Sequence, residues 1–158
     1  GAIIEYMMQN YGKNSSLIIP KTGSQQERDY RYWLHFSEGS LMSPLLLRLI
    51  FHRIKTTPVP FFVKPITKAI ANKVLSEFVN PNIERLLDFI DASLKGKQWF
   101  LGDQLSGADI QMSFPLEASV ASGLIDDQYP EIQSYVERIH RQPSYQEALL
   151  KGGKYDYA

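Results

Sequence analysis

The chain contains no cysteine, so neither a disulfide framework nor a thiolate metal site is open to it. It also lacks net charge: 17 Lys and Arg stand against 17 Asp and Glu. That balance offers no general basic surface, and neither nucleic acid nor membrane is expected as a partner. No apolar run is long enough to span a bilayer. The longest, Leu45-Leu46-Leu47 and Val59-Pro60-Phe61-Phe62-Val63, are short and broken by proline or charge. No signal peptide is visible. Period-two alternation is confined to Leu17-Ile18-Ile19, too short for a strand. There is no His-Glu-x-x-His pair, no Gly-rich phosphate loop and no Gly-x-Ser-x-Gly elbow. His35, His52 and His140 have no partners at metal-ligand spacing. No metal site and no catalytic residue is expected within the chain.

What the sequence does have is helical periodicity. Of its 158 residues 44% are apolar and 22% charged, ordinary globular values that allow one domain or two small ones. There is no initiator Met, and Ile3, Ile4, Met7, Met8 and Tyr11 already recur at helical spacing. A chain that begins inside a helix is expected to be a fragment. Residues 13–23 read as a linker, punctuated by Ser, Pro and Gly. Ser24 opens a second helix with a capping box to Glu27. Its stripe of Tyr30, Trp33, Leu34, Leu41, Leu45 and Leu49 predicts a rod to about Arg53, bent near Gly39 and Pro44. A third stripe, Ile66, Ile70, Val74 and Phe78, continues past Pro81 as Ile83, Leu86, Leu87, Ile90 and Leu94, giving one kinked helix or two in line.

The segment Trp99 to Ile110 is the most informative. Ser106 and Asp109 stand as N-cap and third helical residue of a capping box, and Leu105 and Ile110 have the spacing of a hydrophobic staple. A Ser/Asp catalytic pair is the alternative, but capping accounts for both residues. The helix they open carries Ile110, Phe114, Ala118, Ala121 and Leu124 along one side and is kinked by Pro115. Pro130 and Pro143 start two more. Asp126-Asp127 reads as a solvated turn. The sum is an all-α bundle of six or seven helices with no sheet.

Mixed chemistry is concentrated on the helix at 24–53, where Tyr32, His35, Glu38, Met42 and Arg48 interleave with the apolar stripe. That face is either solvated or an interface, or it lines a cleft for a small molecule.

Trp99–Ile110 closely resembles the segment entering the sixth helix of glutathione transferases, and Tyr129–Ile139 followed by Gln142-Pro143-Ser144-Tyr145 is similar to the family pattern after it. Arg31–Met42 resembles the fourth helix of a group of bacterial and fungal members. Gly1–Tyr6 resembles the helix that follows the family's Glu-Ser glutathione-binding pair. The resemblance covers the whole chain and is taken as that of a bacterial glutathione S-transferase-like protein without its thioredoxin-like N-terminal domain. It implies that residues 1–12 are the last helix of that domain, 13–23 the linker, and 24–158 the all-α C-terminal domain. It further implies a cytoplasmic homodimer that conjugates glutathione, as co-substrate, to electrophiles in detoxification. Met42, Leu45 and Arg48 are then expected in the wall of the substrate pocket. Glu38 is expected to reach glutathione across the subunit boundary. Leu105, Ser106, Asp109 and Ile110 keep a structural role. With the catalytic domain elsewhere, the chain by itself is expected to be inactive. The alternative is a non-catalytic helical interaction module of the same fold.

Overall fold

The computed structural model describes residues 1–12 and 15–157. Lys13 and Asn14, from the expected linker, and Ala158 lie outside the described residues. Among the described residues eight α-helical segments follow one another: α1 (Ala2–Tyr11), α2 (Gln25–Phe36), α3 (Ser43–Thr56), α4 (Lys64–Val74), α5 (Asn80–Leu94), α6 (Gly107–Ala121), α7 (Pro130–His140) and α8 (Pro143–Gly152). Two joins are not breaks. A π turn over Ser37–Met42 carries α2 into α3, and another over Leu75–Val79 carries α4 into α5. The segments therefore make six rods, and among the described residues the only β pairing is two isolated bridges.

The interior prolines explain both joins. A proline has no N–H to give the carbonyl four residues back, and its ring crowds that carbonyl. Ahead of Pro44 and Pro81 the helix widens into a π turn, which absorbs the mismatch without ending the rod. Pro115 is met differently. It leaves the carbonyl of Gln111 without its helical donor, and the buried Ser37 hydroxyl donates to that carbonyl at 2.9 Å. The π turn of one rod thus completes the hydrogen bonding of α6.

α6 is the axis of the bundle. Ala108, Met112 and Leu116 are fully buried on it, in one cluster with Leu34 and Leu41 of the α2–α3 rod, Ile83, Leu87 and Ile90 of α5, and Ile132 and Tyr135 of α7. At its start the backbone must come very close to two other helices. A Cβ on Gly107 would meet Ile4 Cγ2 and the Tyr30 hydroxyl, each at 2.7 Å, so α1 and α2 can seat there only over a glycine. α7 opens with Pro130 and has no side-chain cap of its own. Asp91 of α5 supplies one, accepting from the backbone N–H groups of Glu131 and Ile132 at 3.0 Å.

Several expected faces are corrected. Ile110 and Phe114 are 45% and 44% exposed, so their side of α6 is not its core face. A helix surrounded on most sides is apolar nearly all round, and its sequence shows no single stripe. The stripe Ile66, Ile70 and Phe78 points outward, at 60%, 57% and 63% exposure, while Ala71, Leu75 and Val79 turn in. Ile66 and Ile70 precede the π turn, so α4 docks by its Ala71 side, which continues through Leu75 and Val79 at steps of four residues. Leu49, counted with the α2–α3 stripe, is also exposed. At α2 the box is displaced by one residue: Ser24 accepts from Glu27 N–H at 3.1 Å, but Glu27 accepts from Gly23 N–H at 2.6 Å.

Candidate functional site

The capping box at α6 is built as its residues dictate, and it is structural. Asp109 is fully buried. Its Oδ2 accepts from the Ser106 N–H at 2.8 Å and from the Ser106 hydroxyl at 2.7 Å, while Oδ1 accepts from Phe100 N–H at 2.9 Å. The Ser106 oxygen in turn accepts from Ala108 N–H at 3.2 Å. The preceding aromatic loop is closed on itself by paired backbone bonds between Trp99 and Gly102, at 2.8 and 2.9 Å, around a glycine at φ +113°. Phe100 packs on Trp33 with ring centroids 4.4 Å apart. Tyr135, wholly buried, donates to the Asp109 carbonyl at 2.9 Å. Burial pushes the Asp109 carboxyl above the usual carboxylate range, and its hydrogen bonds pull against that. Leu105 packs on the core, whereas Ile110 is exposed, so the two residues of the expected staple sit in different surroundings.

A cavity of about 320 Å³ opens between α3, the second half of α6 and the C-terminal tail. Met42, Leu45 and Arg48 all line it. Their spacing of three residues, continued by Leu49 and His52, lays one stripe of the rod along the opening. Phe114 and Ala118 face them from α6, and Tyr157 of the tail packs edge-on to Phe114, centroids 5.9 Å apart. The outward side of α6 is therefore a wall of this cavity.

Arg48 supplies the cavity's fixed charge. Its Nη1 donates to Asn80 Oδ1 at 3.3 Å, and among the described residues no carboxylate lies within ion-pair distance. Burial lowers its pKa from the ordinary value, though a guanidinium remains charged. Burial, then the neighbouring Arg48 and Lys55, hold His52 below its usual value, which leaves it neutral at pH 7. On its other side Arg48 borders a depression of about 190 Å³ shared with Glu84 and Asp126. Asp126 is exposed all the same, and its Oδ1 accepts from the Gln128 N–H at 3.0 Å, as expected of a solvated turn. Glu38 lies outside the cavity lining. It is exposed on the π turn, and its Oε1 accepts from Gln111 Nε2 at 2.6 Å.

Sequence reasoning missed a second buried acid on α6. Glu117 is 2% exposed. Its Oε2 accepts from the Tyr155 hydroxyl at 2.8 Å, which anchors the tail. His140 Nε2 lies 3.2 Å from Oε1 but is not aligned for a hydrogen bond. Beside this carboxylate, burial and the negative charge push Tyr145 up to about 12 and raise Tyr155 further. Nothing near Glu117 in sequence marks it, since its partners are 23 to 38 residues away. The cavity residues Leu49 and His52 did carry a signal, being spaced in step with Met42 and Leu45. Among the described residues no cluster of three or more His, Cys, Asp and Glu could hold a metal ion.

Comparison with known proteins gives these features a lineage. Residues 52–143 match the model of the glutathione S-transferase C-terminal domain. The chain is 27% identical over 147 residues to glutathione S-transferase 1 of Saccharomyces cerevisiae, and 28% identical over 151 residues to glutathione S-transferase 3 of Schizosaccharomyces pombe. These alignments cover 92% and 95% of the chain but 62% and 61% of the relatives. The chain thus spans about three fifths of the curated relatives, which are fungal rather than bacterial. A solved glutathione S-transferase from Actinobacillus pleuropneumoniae superposes with a TM-score of 0.70 at 27% identity, over 99% of this chain and 64% of that one. A glutathione transferase of Phanerochaete chrysosporium, in complex with oxidised glutathione, has the same fold at a TM-score of 0.71 and 15% identity, over 95% and 64% of the two chains. Over more than half its length, the chain belongs to the glutathione S-transferase C-terminal domain family.

Proposed function

We propose that this chain is the helical part of a glutathione transferase of the kind fungi and bacteria share, and that its cavity receives the electrophile. Residues 1–12 are then the last helix of a thioredoxin-like domain, joined through 13–23 to the helical domain at 24–158. The observation that carries the reading is the cavity itself: a mostly apolar wall with one guanidinium and a neutral imidazole, in a chain whose relatives are named for the transferase. Small-molecule sites are built this way, from apolar walls and a few placed polar groups.

Conjugation needs the glutathione thiolate, because the thiol is a poor nucleophile, and it needs the electrophile held in line. The first requirement falls to the preceding domain. Met42 and Leu45 meet the second by packing against the apolar body of the substrate. Arg48 stabilises the negative charge that builds on the electrophile as sulfur adds. Glu38, fixed by Gln111, presents a carboxylate at the surface that suits the glutathione amino group of a partner subunit in a cytoplasmic homodimer. In a cell such a protein serves detoxification. Among the described residues no helix is long and apolar enough to cross a membrane.

The test uses glutathione and an aryl halide. This chain alone gives no conjugation above the uncatalysed rate, and robust turnover would overturn the assignment of the chemistry to another domain. With the preceding domain joined, Arg48→Ala lowers kcat/KM for the halide about tenfold or more while the KM for glutathione holds. An unchanged halide kcat/KM would remove Arg48 from the site.

A further inference from the structure

The zero net charge of this protein conceals a segregation. Between Glu38 and Glu77 there is no acidic residue, while Arg48, Arg53, Lys55, Lys64, Lys68 and Lys73 all fall within that span. The other eleven Lys and Arg share the rest of the chain with all seventeen Asp and Glu. The fold gathers the basic span into one hairpin, α3 and α4 packed together across the turn at 57–63.

The same hairpin carries apolar surface that nothing in the chain covers. Phe61 and Phe62, at its tip, are 87% and 66% exposed. Their rings pack edge-to-face with centroids 5.6 Å apart. The turn that presents them is stiff: Pro58 and Pro60 fix two backbone angles, and the Pro60 carbonyl accepts from Val63 and Lys64 N–H groups at 2.9 and 3.2 Å. Ile66 and Ile70, one helical turn apart, continue the exposed surface along α4. Two adjacent phenylalanines held out in water at a rigid tip, flanked by lysines, are a costly feature for a surface that stays wet.

We propose that the α3–α4 hairpin tip docks onto an anionic lipid bilayer. Phe61 and Phe62 enter the boundary between headgroups and acyl chains, with Ile66 and Ile70 behind them, and Lys55, Lys64, Lys68 and Lys73 lie against the phosphates. Charge chooses this occupant over a second copy of the chain. A two-fold contact brings the same patch of each copy together, which here sets Arg53, Lys55, Lys64, Lys68 and Lys73 against their copies with no acid between Glu38 and Glu77 to pair them. An anionic membrane supplies the missing charge, and its attraction is about 1 kcal/mol, or fivefold in partitioning, for each Lys or Arg near the surface. The proposal does not depend on the transferase reading.

The experiment is sedimentation of this chain with vesicles, either phosphatidylcholine alone or phosphatidylcholine mixed with phosphatidylserine. The expected result is co-sedimentation with the mixed vesicles, much weaker partitioning to phosphatidylcholine, and release as salt is raised. Phe61→Ser with Phe62→Ser lowers partitioning tenfold or more, at about 1.5–3 kcal/mol per fully buried Phe. Lys64→Gln and Lys68→Gln each lower it about fivefold. All four side chains are exposed, so each variant keeps the parent unfolding midpoint, which is measured alongside. Three outcomes overturn the proposal: no sedimentation with mixed vesicles, equal partitioning to both vesicle types, or a dimer in light scattering that the Phe61→Ser, Phe62→Ser variant abolishes while vesicles fail to bind.

Discussion

Asp109 and Glu117 are two buried carboxylates two turns apart on one helix, and they are held in opposite ways. Asp109 takes its donors from within ten residues: the Ser106 N–H, the Ser106 hydroxyl and the Phe100 N–H. Glu117 takes its donor from Tyr155, 38 residues on, and faces His140 across a misaligned 3.2 Å. One carboxylate organises the start of its own helix. The other ties the helix to the end of the chain. Local satisfaction forms as soon as the turn forms, while distant satisfaction waits on the packing of α7, α8 and the tail.

That contrast predicts unequal costs of truncation. Asp109→Ala leaves two backbone N–H groups and a hydroxyl unpaired in a dry interior, and at about 1–3 kcal/mol per stranded group the loss in urea unfolding should reach about 3 kcal/mol or more. Against a typical total of about 5–15 kcal/mol this lowers the yield of folded protein. A loss under about 1 kcal/mol, together with lost ligand binding, would show that Asp109 serves the site rather than the fold. Glu117→Ala should cost less, about 1 kcal/mol, because its partners can turn to water. Tyr155 is only half-buried and the His140 side chain is 30% exposed. Its signature is elsewhere: the tail beyond Gly152 becomes open to protease while the helices resist. If Glu117→Ala proves as damaging as Asp109→Ala, the two acids are equivalent and distance in sequence is irrelevant.

The same division decides what could be read in advance. The box at Ser106 and Asp109 was legible because its partners lie within one turn. The rods were legible because apolar residues recur at their period. Which side of a rod turns inward was not legible: on α4 the larger Ile66 and Ile70 point out, while the small Ala71 turns in, in line with Leu75 and Val79. Asp91 capping α7 and Ser37 answering the carbonyl left by Pro115 were likewise hidden, since each joins two rods. Met42, Leu45 and Arg48 do share one cavity. Phe114 and Ala118 do share one side of α6, but that this side faces the cavity rather than the core came only with the fold, and so did Tyr157, because the tail has no periodicity.

The finest test of the comparison is alkaline titration of the tail anchor. Burial and the Glu117 carboxylate raise the Tyr155 phenol above its ordinary value of 10 in the folded protein. In the unfolded chain the phenol ionises near 10, so above that pH the unfolded state holds fewer protons than the folded one, and stability falls as pH rises. The contribution is complete below pH 10 and is lost as pH climbs toward the folded value. Tyr155→Phe removes this titration together with one hydrogen bond to a charged acceptor. At pH 7 it should therefore be less stable than the parent by about 1 kcal/mol. Unfolding midpoints followed from pH 9 to pH 12 should show the gap between parent and variant narrowing. Ser106→Ala, whose cap has no group titrating in that range, loses a comparable amount, about 1 kcal/mol, and holds a constant gap throughout. A gap that stays constant for Tyr155→Phe as well would mean that the tail is not seated on Glu117. The distant carboxylate would then be satisfied by water, and the tail would not form a wall of the cavity.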